Sequence, residues 1–447
     1  MVFRESRMDR KALSLPILIA MVVGNIIGTG IFVLPAALAP FGTISIASWG
    51  LSSVGALLIA LTFTRLNKRY PKTGGAYVYC KHAFGDLSAF IIAIIYWCGQ
   101  AGSIAGLTIT SVGYLGYLFP SLNSNLPSFN TTTLLIAELS IIWTFTIINV
   151  LGVHFSGMVQ LWLTIIKISP LLIVIAFGAS HIHWDYLKHF TTGQQSPWVD
   201  LTQAAAITFW AFVGLEVATM PAENTRGPKD IARATIYSTL IASGIYIAST
   251  IVLMGMIPLT QLMSSQFPVA EAGAMLFGPF GALLIALFAC LSGMGALNVC
   301  LFMQGQIIFS AARDGLFTKR LAKLSKHDVP IYGLLLSAIL TSMLLIATIQ
   351  PTLLQQFKFV ILLASLLTLI IYFSVMVAEI KLTIQETSLK QALAKPSIWI
   401  ALIAACYALL MIASIDKLII AIGLLLISVC ALVYYFWVRK KTYVTIH

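Results

Sequence analysis

The chain contains apolar stretches too long to belong to a water-soluble fold. No charged side chain occurs from Leu87 to Asn130, from Thr235 to Leu259 or from Leu418 to Val438. A hydrocarbon core about 30 Å thick demands about 20 consecutive apolar residues of a helix. A helix can cross it because it satisfies its backbone polar groups within one segment. The 447 residues are 59% hydrophobic and 9% charged, too few polar groups to cover a soluble domain of this size. The sequence therefore predicts an all-α integral membrane protein.

Twelve spans can be drawn, at 12–40, 43–66, 87–119, 132–151, 157–179, 201–220, 234–258, 278–312, 331–350, 354–380, 396–414 and 417–438. The third and eighth are longer than a bilayer needs and are expected to tilt or to project beyond it. The basic residues set the orientation. With the N-terminus inside, only Lys167, Lys188, Lys358 and Lys417 of the 27 Lys and Arg fall outside the cytoplasmic segments. That asymmetry fits the positive-inside rule and places residues 1–11 and 439–447 in the cytoplasm. The first apolar run continues past Gly30 without a cleavage pattern, so no signal peptide is expected. The expected absence of a signal peptide and the short chain suggest a bacterial inner membrane.

The formal net charge of +12 does not point to nucleic acid, because the basic residues lie in short clusters between spans. Cys80, Cys98, Cys290, Cys300, Cys406 and Cys430 form no CxxC pair and read as small packing residues. His82, His154, His181, His183, His189, His327 and His447 fall in loops or at the end. No metal or catalytic constellation emerges, so no enzyme and no cofactor is expected.

Two spans carry interruptions. The first reads Gly24-Asn25-Ile26-Ile27-Gly28-Thr29-Gly30, and each glycine weakens a helix by about 1 kcal/mol relative to alanine. Unwinding at Gly28 to Gly30 would leave a half-helix whose positive amino end can hold a carboxylate. Close GxxxG packing through Gly24 and Gly28 is the alternative. The sixth span carries Glu216 beside Gly214. An acid in lipid costs about 2.5–3.5 kcal/mol, so Glu216 should face the bundle interior, or else anchor the span at the interface. Lys167 lies within Leu161 to Pro170. It is either a buried cation or a lysine snorkelling to the surface. Glu138 and Lys358 fall near outer ends, where an interfacial position is expected. Breaks in the first helix of each half, five spans apart, suggest two inverted five-helix repeats.

The order of motifs carries a resemblance across almost the whole chain. The landmarks are Gly24 to Ala39 (GNIIGTGIFVLPAALA), Pro71 to Tyr79, Tyr96-Trp97, Gly113 to Pro120 and Trp210 to Glu216. Arg226 to Ile236, Met254 to Pro258 and Ala312 to Phe317 follow. Together they resemble the amino acid–polyamine–organocation superfamily. Within it the likeness is to the basic amino acid/polyamine antiporters, typified by arginine–agmatine exchangers. The resemblance implies a first repeat over 12–179, a second over 201–380 and two peripheral helices over 396–438. It also implies that Ile27, Gly28, Thr29 and Gly30 receive the substrate carboxylate. The span-six backbone at Phe209, Trp210, Ala211 and Phe212 would meet its amino group, and Gln100 and Cys300 would line the pocket. Trp210 and Tyr96 match gating aromatics, although on sequence alone both read as packing residues. Glu216 matches a proton-sensing glutamate, and Lys167 the fifth-span lysine of sodium-independent members. Pro71, Gly74 and Gly75 read as a structured cytoplasmic loop.

The chain also departs from the arginine exchangers. Cys300 stands where they have a guanidinium-stacking tryptophan, Ile104 where they have an asparagine and Leu362 near a serine; they lack the lysine at Lys167. Such a pocket should hold a guanidinium less well and suit a smaller or more apolar amino acid. The expected function is secondary transport of amino acids, including cationic ones or their amine products, by sodium-independent exchange or proton coupling. Proton-coupled uptake of neutral amino acids is the alternative; a channel or a transport-like sensor is more remote. The partners implied are the substrate, protons and the bilayer, and a homodimer is compatible with them.

Overall fold

A computed structural model describes residues 15–28, 30–72, 74–123, 130–151, 167–188, 190–191, 195–219, 227–325, 329–349 and 352–438. The expected cytoplasmic tails, Arg226 and most of the first half of the fifth span lie outside the described residues.

The first span is two helices, α1 (Leu15–Ile26) and α2 (Gly30–Leu38). After them come α3 (Ile44–Arg69), the short α4 (Ala76–Phe84), α5 (Asp86–Leu115) and α6 (Thr131–Val150). The described part of the fifth span ends in α7 (Ser169–Gly178), and the sixth begins with α8 (Pro197–Phe209). The remaining helices are α9 (Pro228–Met256), α10 (Leu259–Ser264), α11 (Pro268–Arg313), α12 (Ile331–Ala347), α13 (Leu353–Glu386), α14 (Leu389–Leu393), α15 (Pro396–Ala413) and α16 (Lys417–Val433). Among the described residues, nine helices are long and apolar enough to cross a membrane.

Local chemistry explains where these helices depart from the expected spans. The third stops at Leu115 rather than continuing to 119, since Gly116 and Pro120 bracket a turn. The sixth starts at Pro197, where Ser196 Oγ accepts the Val199 N–H at 3.5 Å and proline fills the first helical position. The eighth begins where the sequence places it. Gly278 has φ 67° and ψ −166°, which breaks α11, and Pro279 starts its long second part. In the connection after α3, Gly74 and Gly75 adopt φ of 126° and 56° and lead into α4.

The centre is α5, packed between α11 and α13. Gly99, Gly102 and Gly106 face α13; an added Cβ would lie 3.3 Å from Leu367, 3.0 Å from Ala364 and 3.0 Å from Ile361. Small residues at this spacing let two backbones approach where hydrophobicity alone gives no drive. Polar side chains add directionality. Ser52 Oγ lies 2.8 Å from Thr208 Oγ1, Asn149 donates to Asn298 Oδ1 at 2.9 Å, and Trp97 Nε1 donates to Ser337 Oγ at 2.7 Å. Glu138 does not sit at the solvent interface. It is 1% exposed, on the stripe Leu134, Glu138, Ile142, Phe145 and Asn149 that α6 turns toward its neighbours.

Candidate functional site

The site begins where α1 stops. Ile27 N–H still bonds Val23 O at 2.8 Å, but Gly28 N–H reaches only to Ile26 O at 3.1 Å, and α2 starts anew at Gly30. A helix end leaves carbonyls without partners on one side of the gap and N–H groups on the other. Two side chains meet the carbonyls of α1. The Lys167 ammonium donates to Gly24 O, and the Tyr246 hydroxyl lies 2.8 Å from Ile26 O. A cation at the negative end of a helix is favourable electrostatically as well as through its hydrogen bond. Lys167 is fully buried, so it is not a snorkelling residue.

The sixth span breaks differently. After Phe209 the chain tightens into a 3₁₀ turn over Trp210–Phe212, extends at Val213 and turns at Gly214 with φ 94°. Leu215–Thr219 then form a second 3₁₀ segment. A side chain at Gly214 would be strained at that φ, and its Cβ would lie 2.0 Å from Asn25 Nδ2. Asn25 Nδ2 donates to Gly214 O at 3.3 Å. The single Tyr246 hydroxyl proton is shared between Ile26 O and Ala211 O, the latter at 3.1 Å. The two breaks are thus tied together across the bundle.

They enclose a small cavity of about 30 Å³. Of the residues expected from sequence, Gly28, Gly30, Gln100, Trp210, Ala211 and Cys300 line it. Thr29 lies outside the described residues. Ile27 is buried but does not line the cavity. Phe209 and Phe212 face away from it: Phe209 packs on Tyr372 and Tyr407, and Phe212 on Trp49 and Tyr246. The Trp210 indole closes the cavity. It lies so close over Gly30 that a Cβ there would fall 1.8 Å from the ring, and it meets Phe357 edge-on at 5.5 Å. Trp210 Nε1 and Ser103 Oγ are buried without a hydrogen-bond partner among the described residues.

Glu216 is fully buried, and both carboxylate oxygens accept hydrogen bonds: Oε1 from Tyr96 and Oε2 from Tyr372. This network joins the sixth span to α5 and α13. It makes Tyr96 a partner of Glu216 instead of a residue lining the cavity. Sequence reasoning assigned no role to Asn25, Ser103, Tyr246 or Tyr372. Only Asn25, inside the glycine-rich break, carried a local signal.

The space holds one or two waters and no amino acid. Among the described residues the arrangement joins a glycine-rich break, an indole packed over it and a buried carboxylate held by two tyrosines, without the nucleophile–base geometry of a catalytic centre.

Comparison with known proteins accords with this geometry. The chain is 31% identical to the cadaverine/lysine antiporter of Escherichia coli (strain K12), over 74% of this chain and 73% of that protein. It is 30% identical to the putrescine transporter PotE of the same strain, over 79% and 80% of the two chains. A putative arginine/ornithine antiporter of Bacillus subtilis (strain 168) is 29% identical over 95% of this chain and 96% of its own length. The amino acid permease family model matches residues 13–438. A bundle of apolar helices built around two paired breaks, matched by that model almost from end to end, belongs to the amino acid permease family and is an integral membrane transporter, not an enzyme.

Proposed function

We propose that the protein exchanges cationic amino acids and their amine products across a bacterial inner membrane by alternating access. The observation that carries this reading is the closed cavity between two broken helices, too small for its ligand and covered by Trp210. The names of the relatives, which specify lysine, cadaverine, putrescine, arginine and ornithine, support a cationic substrate and exchange. They do not favour uptake of neutral amino acids. The loss of aromatic and polar groups at Cys300, Ile104 and Leu362 still favours a primary amine over a guanidinium.

In this reading the amino end of α2 at Gly28, Thr29 and Gly30 takes the substrate carboxylate. The carbonyls around Trp210 and Ala211 take the α-amino group, and Gln100 and Cys300 border the side chain. Trp210 is the outer cover. Glu216, with Tyr96 and Tyr372, is the proton-responsive latch. Lys167 occupies the carbonyl end of α1 where a sodium ion would otherwise be needed, so exchange is sodium-independent.

In the same reading the nine long helices, the α1–α2 pair, α7 and α12 would make twelve spans, and the positive-inside pattern of the sequence supports cytoplasmic termini. Residues 12–179 and 201–380 would form two inverted repeats, and 396–438 two peripheral helices.

Counterflow in proteoliposomes tests the substrate class. Vesicles preloaded with lysine, ornithine, cadaverine or putrescine should drive uptake of labelled lysine. Vesicles preloaded with leucine or alanine should not. Faster exchange with the neutral amino acids would overturn the assignment.

A further inference from the structure

A second cavity, of about 450 Å³, lies far from the substrate site among the ends of α3, α13 and α15. Its size falls in the range of small-molecule sites. Arg65, Lys68 and Arg69 occupy one face of the last turns of α3. Glu379, Thr383 and Glu386 lie at matching intervals along α13. Lys395, the residue that caps α15, completes the rim and offers that helix end no side-chain oxygen.

The charges do not cancel. Arg65 Nε pairs with Glu379 Oε1 at 3.5 Å, and Arg69 pairs with Glu386 while donating to Leu382 O at 2.8 Å. Both carboxylates are thereby engaged. Lys68 and Lys395 are exposed and make no ion pair among the described residues, and Arg69 Nε is buried without a partner among them. The cavity keeps a surplus of two positive charges and unspent donors, a chemistry that selects a phosphate.

The surroundings indicate where the phosphate comes from. Between Glu386 and Lys395 runs α14, which exposes Leu389 and Leu393. Trp399 is half exposed and donates its indole N–H to Leu393 O at 3.0 Å. Exposed leucines and a half-buried tryptophan beside lysines mark the level of a membrane–water interface.

We propose that this cavity binds the phosphate of an anionic phospholipid headgroup, held by Lys68 and Lys395 and braced by the two arginines. Glu379, Glu386 and Thr383 are placed to accept the hydroxyls of a glycerol headgroup. A bound headgroup fastens the ends of α3, α13 and α15 together.

Native mass spectrometry of the full chain, loaded in detergent with phosphatidylglycerol or phosphatidylcholine, reads the retained lipid. Phosphatidylglycerol is retained preferentially. The double substitution Lys68→Gln and Lys395→Gln lowers its apparent affinity about 30-fold, at about fivefold for each lysine. Lys68→Arg with Lys395→Arg keeps the affinity, and the melting temperature of each variant verifies its folding. A titration with inorganic phosphate forms the second arm: stabilisation that depends on the two lysines assigns free phosphate as the source and upholds the phosphate site. Equal retention of the two lipids with no response to phosphate overturns the proposal, as does a glutamine variant that behaves like the parent. Neither measurement reads exchange, so failure here leaves the transport assignment untouched.

Discussion

The two breaks meet at one cavity but are built in opposite ways. In the first span the interruption is short, and each exposed carbonyl of α1 discussed above has a fixed donor: Lys167 on Gly24 O and Tyr246 on Ile26 O. In the sixth the interruption is long, passing through two 3₁₀ segments and a positive-φ glycine, and it carries the bulky groups Trp210 and Glu216. A helix end satisfied by buried side chains has little freedom. A stretch of 3₁₀ with poorer hydrogen-bond geometry has more. In the function proposed above, the first break would serve as the fixed receptor and the second would carry the moving cover and latch. Each substitution below tests one side of that division.

The largest effect is expected at Gly214. Alanine there must hold a left-handed φ and place a methyl 2.0 Å from Asn25 Nδ2. Backbone strain of about 1–3 kcal/mol adds to overpacking of similar size. Gly214→Ala should lower exchange about 100-fold or more and reduce the melting temperature. Parent-like lysine counterflow would show that the second break does not depend on glycine.

Lys167→Ala comes next and attacks the fixed receptor. It leaves Gly24 O buried without its donor, a cost of about 1–3 kcal/mol. Turnover should fall about 30-fold, while Lys167→Arg, which keeps a cationic donor, should recover part of it. Initial-rate exchange at saturating lysine checks both; unchanged rates in the alanine variant remove Lys167 from the mechanism.

These contrasts also show how much was legible before any coordinates. The apolar runs placed the helices to within a few residues because transfer into lipid is an all-or-none demand on twenty residues at a time. The sequence boundaries of the fourth span, 132–151, and of α6, Thr131–Val150, differ by one residue at each end. Gly24 to Gly30, Lys167 and Glu216 stood out because glycines and charges are expensive inside such runs. Tyr246 and Tyr372 did not. An aromatic residue in an apolar span has the same local pattern whether it fills space or donates to a carbonyl from a distant segment. Tyr246 gains its role only when Ile26 and Ala211, 220 and 35 residues away, arrive beside it. Phe209 and Phe212 show the converse. Their motif places their backbone at the site, while their side chains, at the end of α8 and of the 3₁₀ turn, pack against Tyr372 and Trp49.

Glu216→Gln sharpens the role of the latch. A carboxylate accepts from both Tyr96 and Tyr372, whereas an amide has one acceptor oxygen and presents its NH₂ to the other tyrosine. That NH₂ can only donate to the tyrosine oxygen, so one charge-assisted bond to the carboxylate is replaced by a neutral one of reversed direction; a cost of about 1.5 kcal/mol should lower exchange about tenfold. If Glu216 is the proton-responsive group of the proposed function, the pH dependence should flatten. Flux across a pH series distinguishes this from a packing role, which would scale the profile without changing its shape.

Tyr246→Phe is the smallest change and the one that addresses the link between the breaks. The ring still packs on Trp49 and Phe212, at centroid distances of 4.9 and 5.6 Å, so the core is preserved and only the hydroxyl is lost. One shared hydrogen bond is worth about 1 kcal/mol, or about a fivefold effect. If the hydroxyl couples the fixed break to the moving one, the loss should appear in the exchange rate and not in the lysine affinity of the purified protein. If it merely satisfies a carbonyl, stability should fall and the rate should hold. A double-mutant cycle with Asn25→Ala, which removes the other cross-break bond to Gly214 O, separates these outcomes. Additive effects would mean that the two ties act independently, and a coupled loss that the breaks move as one unit.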